Sequence, residues 1–235
     1  MRDVLFDCVS VRFGGTVALD RVGFACRAGR VTCLVGPNGA GKSTALATAA
    51  GIVRSHAGAI VIGKQRVKPY APMAGRSYLP QNGAFPKLLV VREVLDFAAA
   101  LTGASHTQYE TALDVTGVRE VFERRIGELS GGWERRVALA WALLQPADIL
   151  LLDEPLVGLD PETLDRIVAH LAKRAARGDT VAMATHDFEA VAPLRPAVVV
   201  LAEGRLIEQF NDEEVALRAA YRAALTGETA RCADV

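Results

Sequence analysis

The stretch Gly36-Pro37-Asn38-Gly39-Ala40-Gly41-Lys42-Ser43-Thr44 has the residue types and spacing to hold a polyphosphate. It fits the pattern G-x-x-x-x-G-K-[ST], with an apolar run at residues 31–35 before it and an Ala/Leu-rich segment to Ala50 after it. A strand that stops in a glycine-rich loop and restarts as a helix turns several backbone N–H groups inward, with the helix N-terminus behind them. There Lys42 is expected to reach the β- and γ-phosphates, and the Ser43 hydroxyl to hold Mg2+. A chance glycine turn is the alternative, and the flanking strand and helix, both in register, count against it.

Four further residues have side chains suited to phosphoryl chemistry. Asp153 and Glu154 close the run at residues 149–152, which is too short and too continuously apolar for an amphipathic helix and reads as a buried parallel strand. The carboxyl ends of such strands lie beside a phosphate loop. Asp153 would bind Mg2+ there, directly or through water, and Glu154 would polarise an attacking water. Two adjacent acids can also be a solvated turn, a reading that loses weight beside the phosphate loop. His186 follows the strand-like run 180–185, where its ring could bond a γ-phosphate or the attacking water, although a lone histidine at a strand end is usually structural. Gln81 has an amide that could touch Mg2+-bound water, or it is a loop residue.

The elements that must position these residues follow from periodicity. Residues 4–13 partly alternate and read as a strand, Gly14-Gly15 turns the chain, and residues 22–26 read as its antiparallel neighbour. A short strand is expected at 59–63, and residues 76–80 lead to Gln81. Between residues 91 and 129 the spacing turns helical, with Val91, Val94, Leu95 and Ala98 on one face and Ala112, Val115, Val118, Val121 and Phe122 on a later segment. Glu93 sits where a capping box would place it, yet the N-cap position is Val90, so either packing holds that helix start or the boundary lies a residue or two away. A helix from Leu129-Ser130-Gly131-Gly132 to about Pro146, another opened by Asp160-Pro161 and closed by Gly178, a hairpin at 197–210 and a terminal helix at about 212–226 complete the chain. The strand–helix alternation argues for an α/β fold with a mostly parallel sheet covered on both faces. We expect one domain over 1–235: a core with an N-terminal antiparallel β subdomain over about 1–81 and 131–210, and a helical subdomain over about 82–130.

Composition narrows the function classes. The 235 residues are 51% apolar, enough for a substantial core. Lys+Arg and Asp+Glu are both 27, which gives no general electrostatic reason to expect a nucleic-acid partner. No apolar run approaches the roughly 18–20 residues that cross a bilayer, and Met1-Arg2-Asp3-Val4 lacks the build of a signal peptide, so a cytosolic chain is expected. Cys8, Cys26, Cys33 and Cys232 show no C-x-x-C spacing, and three of them lie in apolar stretches that predict buried reduced thiols.

Taken in order, residues 36–43, Gln81, Leu129-Ser130-Gly131-Gly132, residues 149–154, Gly158-Leu159-Asp160 and His186 resemble the ATP-binding cassette ATPases, the nucleotide-binding subunits of ABC transporters. The resemblance runs from Phe13 to about Gln209, and the Ser-Gly-Gly signature ahead of the acidic strand is its most specific part. It implies ATP and Mg2+ as ligands, with Phe13 stacking on adenine, residues 36–44 around the phosphates, and Ser43, Gln81 and Asp153 at the metal. It further implies Glu154 as catalytic base, with His186 as the switch histidine and Gln81 beside it. Ser130, Gly131 and Gly132 would touch the γ-phosphate held by a partner cassette in a head-to-tail dimer, homodimeric or with a paralogous cassette, and Asp160 would lie in the loop between the two sites. An integral-membrane permease is the implied partner, placing the chain peripherally on the inner membrane face. Phe85-Pro86-Lys87-Leu88-Leu89 would serve either as permease dock or as filling for the insert's own core.

Two departures stand out. Trp133 replaces the usual polar residue of the signature, where an indole N–H or stacking could take over a hydrogen bond, and Leu156 replaces a small polar residue, a packing change. The compact length and the texture around Gln81 and Glu134-Arg135-Arg136 resemble exporter-type cassettes. Two other classes compete. A soluble cassette acting on nucleic acid or the ribosome would need a coiled-coil insert or a second motif set, and a non-hydrolysing regulatory subunit fits poorly with Lys42, Glu154 and His186 all present.

Overall fold

The computed structural model describes residues 2–210 apart from 74 and 84; the helix expected at about 212–226 and Cys232 lie outside the described residues. Among the described residues, ten strands and six α-helices follow in chain order: β1 (Val4–Phe13), β2 (Thr16–Cys26), β3 (Arg30–Val35), α1 (Lys42–Ala50), β4 (Ala57–Ile62), β5 (Gln65–Arg66), β6 (Arg76–Leu79), α2 (Val91–Thr102), α3 (His106–Thr116), α4 (Gly131–Leu144), β7 (Ile149–Asp153), α5 (Pro161–Ala176), β8 (Thr180–Ala184), α6 (Phe188–Val191), β9 (Ala197–Ala202) and β10 (Arg205–Phe210).

The strands form two sheets. One is antiparallel, in the order β2-β1-β4-β5; the other runs β10-β9-β3-β8-β7-β6 and is parallel except for its β9–β10 edge hairpin. Every residue of β7 and β8 is buried, as a strand covered on both faces requires. Alternation sorts their side chains between two cores. Leu150, Leu152, Val181 and Met183 point to the layer of α2, α3, α4 and α5, whereas Ile149, Leu151, Ala182 and Ala184 point to α1 and the antiparallel sheet. All parallel strands end at one edge, so the segments after β3, β6, β7 and β8 emerge together with the phosphate loop, Gln81, Glu154 and His186.

The start of α2 resolves the capping question. Val90 is the N-cap; Glu93 accepts its N–H at 2.8 Å, and valine has no oxygen for the other half of the box. The next two N–H groups, of Val91 and Arg92, instead donate to Arg124 O and Phe122 O, both at 3.0 Å, so packing against that segment holds the helix start. The later helical segment expected through Phe122 is shorter in the structure. Helix α3 stops at Gly117, whose N–H returns to Leu113 O, and Val118–Val121 is a 3-10 turn. The buried-thiol expectation holds for Cys26 and Cys33 and fails for Cys8, which is exposed at a left-handed position of β1 (φ 48). Leu156 is buried, consistent with packing.

Candidate functional site

The phosphate loop joins β3 to α1 and is pressed against its neighbours. At Gly36 (φ 145) a Cβ would stand 2.0 Å from Leu201 O; at Gly41 (φ 100) it would stand 2.6 Å from Ala18 O. Both positions exclude any side chain. Lys42 is buried under the loop, where Nζ donates to Gly36 O at 2.7 Å and Pro37 O at 3.0 Å. Burial pulls its pKa down, and the nearby Glu154 and Asp153 charges oppose that pull.

Asp153 ends β7 only 2% exposed. Burial pushes its carboxyl pKa up, and a hydrogen bond from the Ser43 hydroxyl acts against this. A hydroxyl and one carboxylate are oxygen donors of the kind that suits Mg2+, which keeps several waters and needs no all-protein cage. No group of three or more His, Cys, Asp or Glu side chains gathers into a metal cage among the described residues.

Glu154 adopts a left-handed backbone (φ 53) that costs a non-glycine residue about 1–3 kcal/mol. Its N–H donates to Ala184 O at 2.9 Å, which ties it to the end of β8. Oε2 lies 3.0 Å from His186 Nδ1, but the alignment is not that of a hydrogen bond, and the oxygen stays buried without a hydrogen-bond partner. The His186 ring itself is 68% exposed.

Arg135 links these parts, and the sequence reading assigned it no role. Its guanidinium donates to Pro80 O at 2.7 Å, Gln81 O at 3.0 Å, Glu154 O at 3.2 Å and also Asp153 O. One side chain on α4 thus joins the segment after β6 to the acidic end of β7. Its spacing was the available signal, since Arg135 lies four residues after Gly131 and so on the same helix face. The next residue, Arg136, pairs with Asp160 and stacks on Trp133 with its guanidinium carbon 4.2 Å from the ring centroid, so this chain already occupies one indole face.

A cavity of about 820 Å3 brings together Gly36, Pro37, Asn38, Gln81, Gly131, Gly132, Arg135, Glu154 and His186. Lys42, Ser43 and Asp153 lie around the phosphate loop without lining it. Gly39, Ala40 and Thr44 are also absent from the lining. Ser130 is the N-cap of α4 without a side-chain cap bond, and Asp160 caps α5 by accepting Thr163 N–H at 3.0 Å. Phe13 stands at the end of β1, 54% exposed and outside the cavity. Of residues 85–89, Phe85 packs on Trp141 with centroids 5.6 Å apart, while Leu88 is 82% exposed.

A buried parallel strand ending in paired acids beside a glycine-rich loop and a lysine defines a phosphate-loop nucleoside triphosphatase. A family model described as ABC transporter matches residues 19–157. The Nod factor export ATP-binding protein I of Burkholderia lata is 34% identical over 210 residues, spanning 87% of this chain and 69% of that protein. The iron(3+)-hydroxamate import ATP-binding protein FhuC of Bacillus subtilis is 32% identical over 229 residues, spanning 92% and 84%. A solved structure of a bacterial Atm1-family ABC exporter with ATP bound matches with a TM-score of 0.82 and 25% identity, covering 98% of this chain and 42% of that one. The chain belongs to the ABC transporter family, and its class is that of the ATP-binding, ATP-hydrolysing subunits. The fold class expected from the sequence holds.

Proposed function

We propose that this chain binds ATP with Mg2+ and hydrolyses it between two cassettes, driving transport through a separate membrane permease. The observation that carries the hydrolytic part of this reading is one cavity into which Gly36, Pro37 and Asn38 of the phosphate loop open together with Gln81, Glu154 and His186. Lys42 leaves its loop carbonyls to bind the β- and γ-phosphates; Ser43, Asp153 and Gln81 would hold Mg2+, which would supply positive charge against the phosphate oxygens. Glu154, with an oxygen free of hydrogen bonds, accepts the proton of the attacking water, and His186 positions that water or the γ-phosphate. Phe13 offers an exposed ring to adenine.

Exposure supports a dimer. His186 and Phe13 face solvent, and Ser130 has a hydroxyl not engaged in capping, so a second cassette's signature turn and helix N-terminus could complete each site. ATP then stabilises the closed pair, and loss of the bridging phosphate releases it. The helical segment over about 82–130 acts as a subdomain and passes this closure to the permease. Phe97 (62% exposed) and Leu101 (67%) form an apolar face on α2 next to Trp141, suited to docking, with Leu88 a further exposed apolar residue after Gln81. No described helix is long and apolar enough to cross a membrane. As a member of the ABC transporter family, the chain is proposed to sit on the cytoplasmic face against a permease that supplies the membrane path. For direction we propose export, on the exporter-type texture around Gln81 and residues 134–136 and the export relative at 34% identity; import relatives stand at 32% and 33%.

The test is phosphate release across protein concentration, together with co-purification from membranes. Specific activity should rise with concentration, and a polytopic membrane protein should accompany the chain. Full turnover by dilute monomers would sink the dimer reading; recovery with nucleic acid and no membrane protein would sink the permease.

A further inference from the structure

A second cavity, of about 900 Å3, lies at the opposite end of β6 from Gln81, walled by the β4–β5 hairpin, the segment after it and the first residue of β6. Arg2, Lys64, Arg66, Lys68 and Arg76 line it, and no described lining residue is acidic. Composition does not account for this, because basic and acidic residues balance at 27 each over the whole chain. Among the described residues, Arg2 is the one member of the five with an ion pair, to Asp148 at 3.8 Å, and both of those side chains are more than half exposed. Such a pair neutralises little.

Arg76 separates this cavity from an ordinary basic surface. It is only 7% exposed, and its guanidinium donates to Ala49 O at 3.1 Å and Pro72 O at 3.3 Å. Burial pulls its pKa down with no carboxylate pushing back. A buried cation normally has an anionic partner, since an unpaired buried charge is costly. Here carbonyl dipoles fix the fork at the back of the cavity while Lys64, Arg66 and Lys68 ring its exposed mouth. A fixed guanidinium behind exposed cations matches the oxygens of a phosphoryl anion.

We propose that this cavity is an anion site for phosphoryl groups, distinct from the nucleotide site. The two lie at opposite ends of one strand, since Arg76 begins β6 and Gln81 follows its carboxyl end. A free polyphosphate and an anionic lipid headgroup both present this chemistry.

The test uses the full chain with its phosphate loop saturated by a non-hydrolysable ATP analogue. Tripolyphosphate is titrated by calorimetry, and co-sedimentation is measured with phosphatidylcholine vesicles with and without phosphatidylglycerol. Arg66→Glu/Lys68→Glu reverses two exposed charges and leaves Arg76 in place, so ATP turnover should stay at the unsubstituted level. We expect one binding event beyond the nucleotide, weakened about tenfold or more in that variant. Tripolyphosphate binding in solution assigns a free ligand; binding confined to phosphatidylglycerol vesicles and lost in the variant assigns the headgroup. Absence of both, or binding that the double substitution leaves unchanged, overturns the proposal.

Discussion

The guanidinium of Arg135 donates to the carbonyl oxygen of Glu154 at 3.2 Å, and so a signature-helix side chain holds the peptide of the proposed catalytic base. That peptide is in a left-handed conformation, and Ala184 O holds its N–H side. Hydrogen bonds to a charged group contribute about 1.5–3 kcal/mol, so Arg135→Gln should lower kcat about tenfold to a hundredfold. The KM for ATP should move much less, because Arg135 bonds backbone carbonyls. Arg135→Lys keeps the charge without the fork and should recover part of the loss. Steady-state phosphate release gives both parameters, and a change confined to KM would contradict the positioning role.

Replacing the base itself separates binding from chemistry. Glu154→Gln should retain ATP binding, lower turnover by about 10²–10⁴-fold, and accumulate as an ATP-bound dimer on size exclusion. Unchanged turnover would remove Glu154 from the role of base.

The phosphate loop makes two separable demands. Lys42→Ala should reduce ATP binding or hydrolysis by about a hundredfold or more with the fold intact. Gly36→Ala adds a methyl group 2.0 Å from Leu201 O and should instead lower the Tm. Equal thermal stability of Gly36→Ala and the unsubstituted chain would show that the loop is looser than its geometry implies.

His170, on α5, gives a pH prediction. Its Nε2 is buried without a hydrogen-bond partner, and burial, then the Arg174 and Arg177 charges, lower its pKa from 6.5 to about 4. Below pH 6.5 the unfolded chain takes up a proton that the folded chain refuses, so this residue's contribution to stability is full above 6.5 and declines as pH falls towards about 4. Urea midpoints should fall across that window, and His170→Gln should flatten the decline. Parallel curves for the two proteins would refute it.

Much of this architecture was legible because it rests on short-range pattern. Leu150 to Leu152 announce a doubly covered strand, Asp160-Pro161 announces a helix start, and the glycines of residues 36–41 between a strand and a helix announce the phosphate loop. Long-range bonds left no such trace. The bonds from Arg135 to Pro80 and Glu154 span 55 and 19 positions, and the carbonyls that start α2 come from Phe122 and Arg124. The break at Gly117 was hidden because Val118 and Val121 keep the helical spacing while packing as a 3-10 turn. Cys8 sits in an apolar stretch, yet an irregularity in β1 between Phe6 and Val9 leaves it exposed.

Both tryptophans of the chain fall on α4, Trp133 under the Arg136 guanidinium and Trp141 between Phe85 and Phe97. The molecule therefore comes with two built-in fluorophores, one beside the surface a second cassette would meet and the other beside the apolar face of α2. Replacing either indole with phenylalanine leaves a single-emitter protein. Quenching or spectral displacement could then be followed separately at each surface, without attaching a dye.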